Sequence, residues 1–144
     1  AMLLGAMLAG QAFANAPVAA VHALAYPLGG NYHISHGLSN SLVLAHVLRF
    51  NASHASGLYA QLAAIILSDQ QLPDDPIATT ELLADHFLML ADNLGLQTTL
   101  QQMNIDKADL PMLAGQAMQQ QRLLINNPRE VSFEDALAIY QQAF

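Results

Sequence analysis

Three of the six histidines in this 144-residue chain, His22, His33 and His36, fall within fifteen residues of one another. A neutral imidazole is the commonest metal ligand, and a borderline cation such as Fe²⁺ or Zn²⁺ takes it together with carboxylate. The run between them, Tyr26-Pro27-Leu28-Gly29-Gly30-Asn31-Tyr32, holds a glycine-containing turn. That turn could fold His22, read as late on one helix, and His36, at the start of the next, toward one point. Two imidazoles do not complete a site, because a stable one takes three or four protein ligands. No Asp or Glu occurs before position 69, so further ligands must come from later in the chain or from outside it. On spacing alone, helix-end histidines satisfied by backbone are the more common alternative.

The elements that must position these side chains read as helices with punctuated joints and no strand. Residues 2–14 are rich in Ala, Leu and Met, and Pro17 suits the first turn of a helix running to about Tyr26, where Pro27 and Gly29-Gly30 stop it. Asn31 to Ser35 is a loop. Ser35 or His36 opens a helix through Leu42, Val43 and Val47 to Phe50, and another runs from about Ala55 to Leu67. Pro73-Asp74-Asp75-Pro76 is a polar turn, and Thr79 to Asn93 an amphipathic helix ended by Gly95 at a C-cap position. A short helix near Thr98–Met103 and a longer one over 109–122 follow. Asn126-Asn127-Pro128 breaks the chain, and Ser132-Phe133-Glu134-Asp135 is a capping box starting the last helix to Phe144. The expected fold class is all-α, in a single helical domain over residues 1–144.

Composition narrows the function classes. The net charge is −7, and the four basic residues, Arg49, Lys107, Arg122 and Arg129, are too scattered to neutralise a phosphate backbone, so no nucleic-acid partner is expected. With no cysteine there is no disulfide framework and no thiolate nucleophile. Residues 1–48 carry no formal charge, and charged residues make up only 10% against 53% hydrophobic. A typical soluble domain has about a quarter charged, so much of this surface should be covered by something else. The opening run resembles a signal peptide in its apolar core and its Ala14-Asn15-Ala16 end, but lacks the positively charged start. Gln11, Asn15 and Pro17 interrupt it before the roughly 20 apolar residues of a membrane span, so no membrane partner is expected.

Several linked blocks resemble the signature of the iron-containing alcohol dehydrogenases. They are Ala9-Gly10-Gln11-Ala12-Phe13-Ala14-Asn15-Ala16, Val21-His22-Ala23-Leu24-Ala25, Pro27-Leu28-Gly29-Gly30, His36-Gly37-Leu38-Ser39-Asn40 and Arg49-Phe50-Asn51. Asn127-Pro128-Arg129, Glu134-Asp135-Ala136 and Tyr140 look like that family's C-terminal stretch. The resemblance implies the helical C-terminal domain of the dehydroquinate synthase-like fold, working with an N-terminal nucleotide-binding domain. It further implies metal-assisted hydride transfer between a small-molecule alcohol or aldehyde and NAD or NADP, in a cytoplasmic homo-oligomer. His22 and His36 match two of the family's metal ligands, for Fe²⁺ or Zn²⁺. The Asp and the other His of that set belong to an earlier helix, so the chain is expected to be a fragment holding half a metal site and inactive alone.

Where many members carry a second histidine near the nicotinamide and substrate, this sequence has Tyr26, one turn from His22 on the same face. Tyr26 is thereby a candidate catalytic and cofactor-binding residue, and Phe13 matches a substrate-pocket position. Asn40 is a candidate to orient His36. His33 is a weaker candidate for the cleft, and His46, His54 and His86 read as structural or solvent-facing. The competing class is a non-catalytic helical packing or oligomerisation module, with which the low charge and the Gln116, Gln119, Gln120, Gln121 run are compatible. The related maleylacetate reductase and glycerol dehydrogenase branches match the His36-to-Asn40 block less well.

Overall fold

A computed structural model describes all 144 residues. The chain is all-helical: α1 (Met2–Asn15), α2 (Ala20–Tyr32), α3 (His36–Ile66), α4 (Pro76–Asn93), α5 (Leu110–Met118), α6 (Gln121–Leu124) and α7 (Phe133–Ala143), with 3₁₀ turns at Gln101–Met103 and Lys107–Asp109. The main core gathers Leu24 and Leu28 of α2, Leu42, Val43 and Val47 of α3, Leu113 of α5, and Ile139 and Tyr140 of α7. A second cluster, Ala45, Leu48, Ala63, Leu67, Leu83 and Ala84, fastens α4 along α3.

The local stop and start signals behave as their chemistry requires. The Asp75 carboxylate accepts from the Ile77 and Ala78 amides and caps α4, with Pro76 in the first position, where its missing N–H costs nothing. Gly95 follows α4 at φ +73°, in the left-handed region that only glycine adopts freely. Ser132 and Asp135 form the reciprocal capping box of α7.

Three joints expected from sequence are absent or moved, each overruled by packing. Pro27, Gly29 and Gly30 do not end the second helix, which runs on to Tyr32. Proline inside a helix removes one backbone bond and crowds the preceding turn, at about 3 kcal/mol. Here Leu24, Pro27 and Leu28 are all buried, and the Tyr140 hydroxyl donates to the Leu24 carbonyl at 2.6 Å, next to the Ala23 carbonyl whose helical donor Pro27 lacks. The expected break between Phe50 and Ala55 does not form either. Asn51 sits inside the 31-residue α3, where its amide pairs reciprocally with that of Asn127 at 3.0 and 2.8 Å. Those tertiary bonds offset its weak helix propensity. The helix expected over 109–122 is instead two, separated by a turn at Gln119 and Gln120 that lets both Leu123 and Leu124 of α6 reach the core.

Helix α1 has no buried residue, and Met2, Leu3, Leu4, Met7, Leu8 and Phe13 are all at least half exposed. This is the uncovered apolar surface that the low charge content anticipates. No single helix is long and apolar enough to cross a membrane.

His46 is buried in α3, and burial followed by the nearby Arg49 guanidinium pushes its pKa down to about 4. In the unfolded chain it titrates near 6.5. The unfolded state therefore binds a proton that the folded state refuses, and stability present above pH 6.5 is lost as pH falls toward 4. Urea midpoints for a His46→Gln variant should fall less between pH 7 and pH 5 than those of the unaltered chain; parallel curves would refute this.

Candidate metal centre

His22 lies in the first turn of α2, not late on its helix as the sequence suggested, and His36 is the first residue of α3. The return of the chain brings them together. His33 ends α2 in the left-handed conformation at φ 55°, with its N–H on the Gly29 carbonyl. The segment then doubles back along α2, where a Cβ at Gly29 would stand in ordinary contact, 3.4 Å, with the Ile34 carbonyl oxygen. The buried Ser39 hydroxyl donates to that same oxygen at 3.3 Å. His33 thus shapes the turn and is exposed, whereas His22, Tyr26 and His36 form one cluster. Their ring centres are 5.1 Å apart for His22–His36, 6.0 Å for Tyr26–His36 and 6.4 Å for His22–Tyr26.

The spacing can be tested against a cation. Two imidazoles bound at about 2.1 Å to one tetrahedral ion have ring centres about 5 Å apart, which the His22–His36 pair meets. Burial, and then repulsion from a protonated His36, hold the His22 pKa below its ordinary value, favouring the neutral ring that can ligate. Asn40, one turn along α3, has its amide nitrogen 3.1 Å from His36 Nε2, while its Oδ1 is buried without a partner. This amide restrains the ring and occupies its Nε2 lone pair, so a cation reaches that atom only by displacing it. No group of three or more His, Cys, Asp or Glu side chains converges anywhere in the chain. The donor set therefore fits two ligands of a metal site and lacks the remainder.

Two cavities of about 390 Å³ flank the cluster. One opens beside His22 and Asn40 and is walled by Leu44, Phe87, Leu90 and Leu94. The other lies beside Tyr26 and is walled by Asn31, Gln116, Gln119 and Gln120. Sequence reasoning placed the glutamines on a packing face. Nothing in the local pattern of α4 indicated that Phe87 and Leu90 stand near His22. Phe13 lies on the exposed α1, outside both cavities. His54 bonds the neighbouring Ser53 hydroxyl at 2.8 Å, and His86 meets the Phe87 ring.

The chain is an all-helical domain with no strand, in which His22 and His36 meet near the starts of two packed helices. Residues 1–144 match the Fe-containing alcohol dehydrogenase family, C-terminal part. The chain is 36% identical over 140 residues to long-chain-alcohol dehydrogenase 1 of Geobacillus thermodenitrificans, covering 97% of this chain and 35% of that protein. It is 32% identical over 146 residues to lactaldehyde reductase of Escherichia coli, covering 99% and 37%. Among solved structures, a 1,3-propanediol oxidoreductase superposes with a TM-score of 0.86 at 30% identity, covering 95% of this chain and 35% of that one. The alcohol dehydrogenase of Oenococcus oeni gives 0.86 at 29%, covering 96% and 36%. This chain belongs to the Fe-containing alcohol dehydrogenase family. It spans little more than a third of the length of these relatives.

Proposed function

We propose that this chain is the metal-holding C-terminal part of a nicotinamide-linked alcohol dehydrogenase or aldehyde reductase, with NAD or NADP bound largely by a preceding domain. The observation that carries the reading is the His22–His36 pair, 5.1 Å between ring centres, with Tyr26 on the same face. His22 and His36 are two ligands for Fe²⁺ or Zn²⁺, and a carboxylate and a further imidazole come from outside these residues. A divalent cation there supplies Lewis acidity toward an alcohol or carbonyl oxygen. Burial lowers the His22 pKa and so favours its neutral ring, and Asn40 limits the rotation of the His36 ring.

Tyr26 offers a hydroxyl to the substrate oxygen and touches the nicotinamide side of the cleft. A phenol hydroxyl donates a hydrogen bond and relays protons more slowly than an imidazole would. Phe13 closes the substrate pocket once α1 is covered by the rest of the protein. The exposed apolar face of α1 is also what a packing or oligomerisation module would carry, and the two readings part on metal.

Plasma mass spectrometry on the 144-residue chain and on the complete gene product should find about one iron or zinc per protomer in the complete protein alone. Absence of metal from both would leave the packing module. Stoichiometric metal in the short chain would overturn the split site.

A further inference from the structure

Among the buried side-chain nitrogens and oxygens of the chain, Asn40 Oδ1 alone has no hydrogen-bond partner, and the nitrogen of the same amide lies 3.1 Å from His36 Nε2. We propose that Asn40 guards the metal pair: its amide and the cation compete for one lone pair, so Asn40 slows metal uptake and loosens metal binding. The inference rests on the metal reading above and deepens it, with the opposite sign to the effect of an orienting partner.

The competition follows from the donor chemistry. An amide nitrogen only donates, so Nε2 accepts and the ring proton sits on Nδ1. A neutral imidazole has a single lone pair in its plane. The Asn40 N–H and a cation therefore cannot both hold it. A partner that strengthens a metal ligand works from the other side of the ring, accepting the N–H of the nitrogen that does not ligate. Asn40 instead stands on the ligating atom.

Helix geometry makes the contact and the packing around it makes the contact yield. His36 and Asn40 are one turn apart on α3, at the spacing where side chains meet. The amide is poorly satisfied in this position, because its buried oxygen has no donor, a cost that a change of rotamer recovers. Room for the movement lies beside it. Asn40 lines the cavity of about 390 Å³ between α2, α3 and α4, and the neighbouring Ser41 brings a hydroxyl to the same wall. The amide is thus close enough to compete for Nε2 and held loosely enough to give way.

The test follows Co²⁺ uptake by the complete gene product, stripped of metal with a chelator, through the visible absorption of bound Co²⁺ in stopped flow. Competition against a chromophoric chelator gives the affinity. Asn40→Leu is close in volume and removes the amide without opening a cavity, and Asn40→Ser keeps a polar group that stops short of Nε2. Both variants should take up Co²⁺ about three- to tenfold faster and bind it tighter by a similar factor, at an unchanged melting temperature. If one of them fails to fold, the other decides. Uptake that is unchanged or slower overturns the guard, and an affinity lowered about 10- to 100-fold would make Asn40 an outer partner of His36 instead. If neither the unaltered protein nor the variants take up Co²⁺, the metal reading itself fails and the guard falls with it.

Discussion

Replacing His22 or His36 with alanine in the complete gene product is expected to abolish stoichiometric metal and, with it, alcohol turnover. Loss of an outer hydrogen-bond partner of a metal ligand already costs about 10- to 100-fold in affinity. Removal of a ligand itself should cost more than about 100-fold, because one imidazole of the pair cannot hold the ion at the position the two define. The appropriate control is His33→Asn. His33 is exposed, sits at φ 55° where Asn is tolerated, and lies outside the cluster, so this variant should keep its metal. Metal analysis with circular dichroism separates loss of the site from loss of fold. Retention of bound iron or zinc by His22→Ala would remove this residue from the ligand set.

The second large effect is one of stability. Tyr140→Phe should destabilise the domain by about 0.5–1.5 kcal/mol, the net contribution of one buried hydrogen bond. Tyr140 is fully buried, and burial raises its pKa, so the hydroxyl remains a donor throughout the working pH range. Its 2.6 Å bond to the Leu24 carbonyl joins α7 to α2 within the turn that Pro27 disrupts. Truncation to alanine would add a cavity and raise the loss to about 3–5 kcal/mol. Urea unfolding with an unchanged slope measures the difference as a shift in midpoint. A loss below about 0.5 kcal/mol for Tyr140→Phe would mean that the Leu24 carbonyl finds another partner. Because His22 stands two residues before Leu24, the same substitution should loosen the metal pair if α2 moves.

Much of the helical layout was legible residue by residue. Asp75 with Pro76, Gly95, and the Ser132–Asp135 box each act through one or two hydrogen bonds or one backbone angle, so the sequence alone settles them. The all-α class follows from the same short-range rules applied along the chain, and the His22 and His36 blocks were recognisable as candidate ligands. The absence of any carboxylate before Asp69 already implied that the pair needs ligands from elsewhere.

Tertiary contacts decided what those rules misjudged. Pro27 would break an isolated helix, yet the burial of Leu24 and Leu28 and the Tyr140 bond outweigh a penalty of about 3 kcal/mol. Asn51 would weaken one, yet its pairing with Asn127, distant in sequence, carries α3 through. The meeting of His22 with His36 depends on a left-handed residue at His33, φ 55°, after which the chain returns along α2. The cavity beside Tyr26 is lined by glutamines on both sides of the turn between α5 and α6. Sequence thus determined which residues are able to cap helices, bind and donate. Packing determined which of them meet, because each meeting depends on contacts between segments whose energies exceed the local preferences within each.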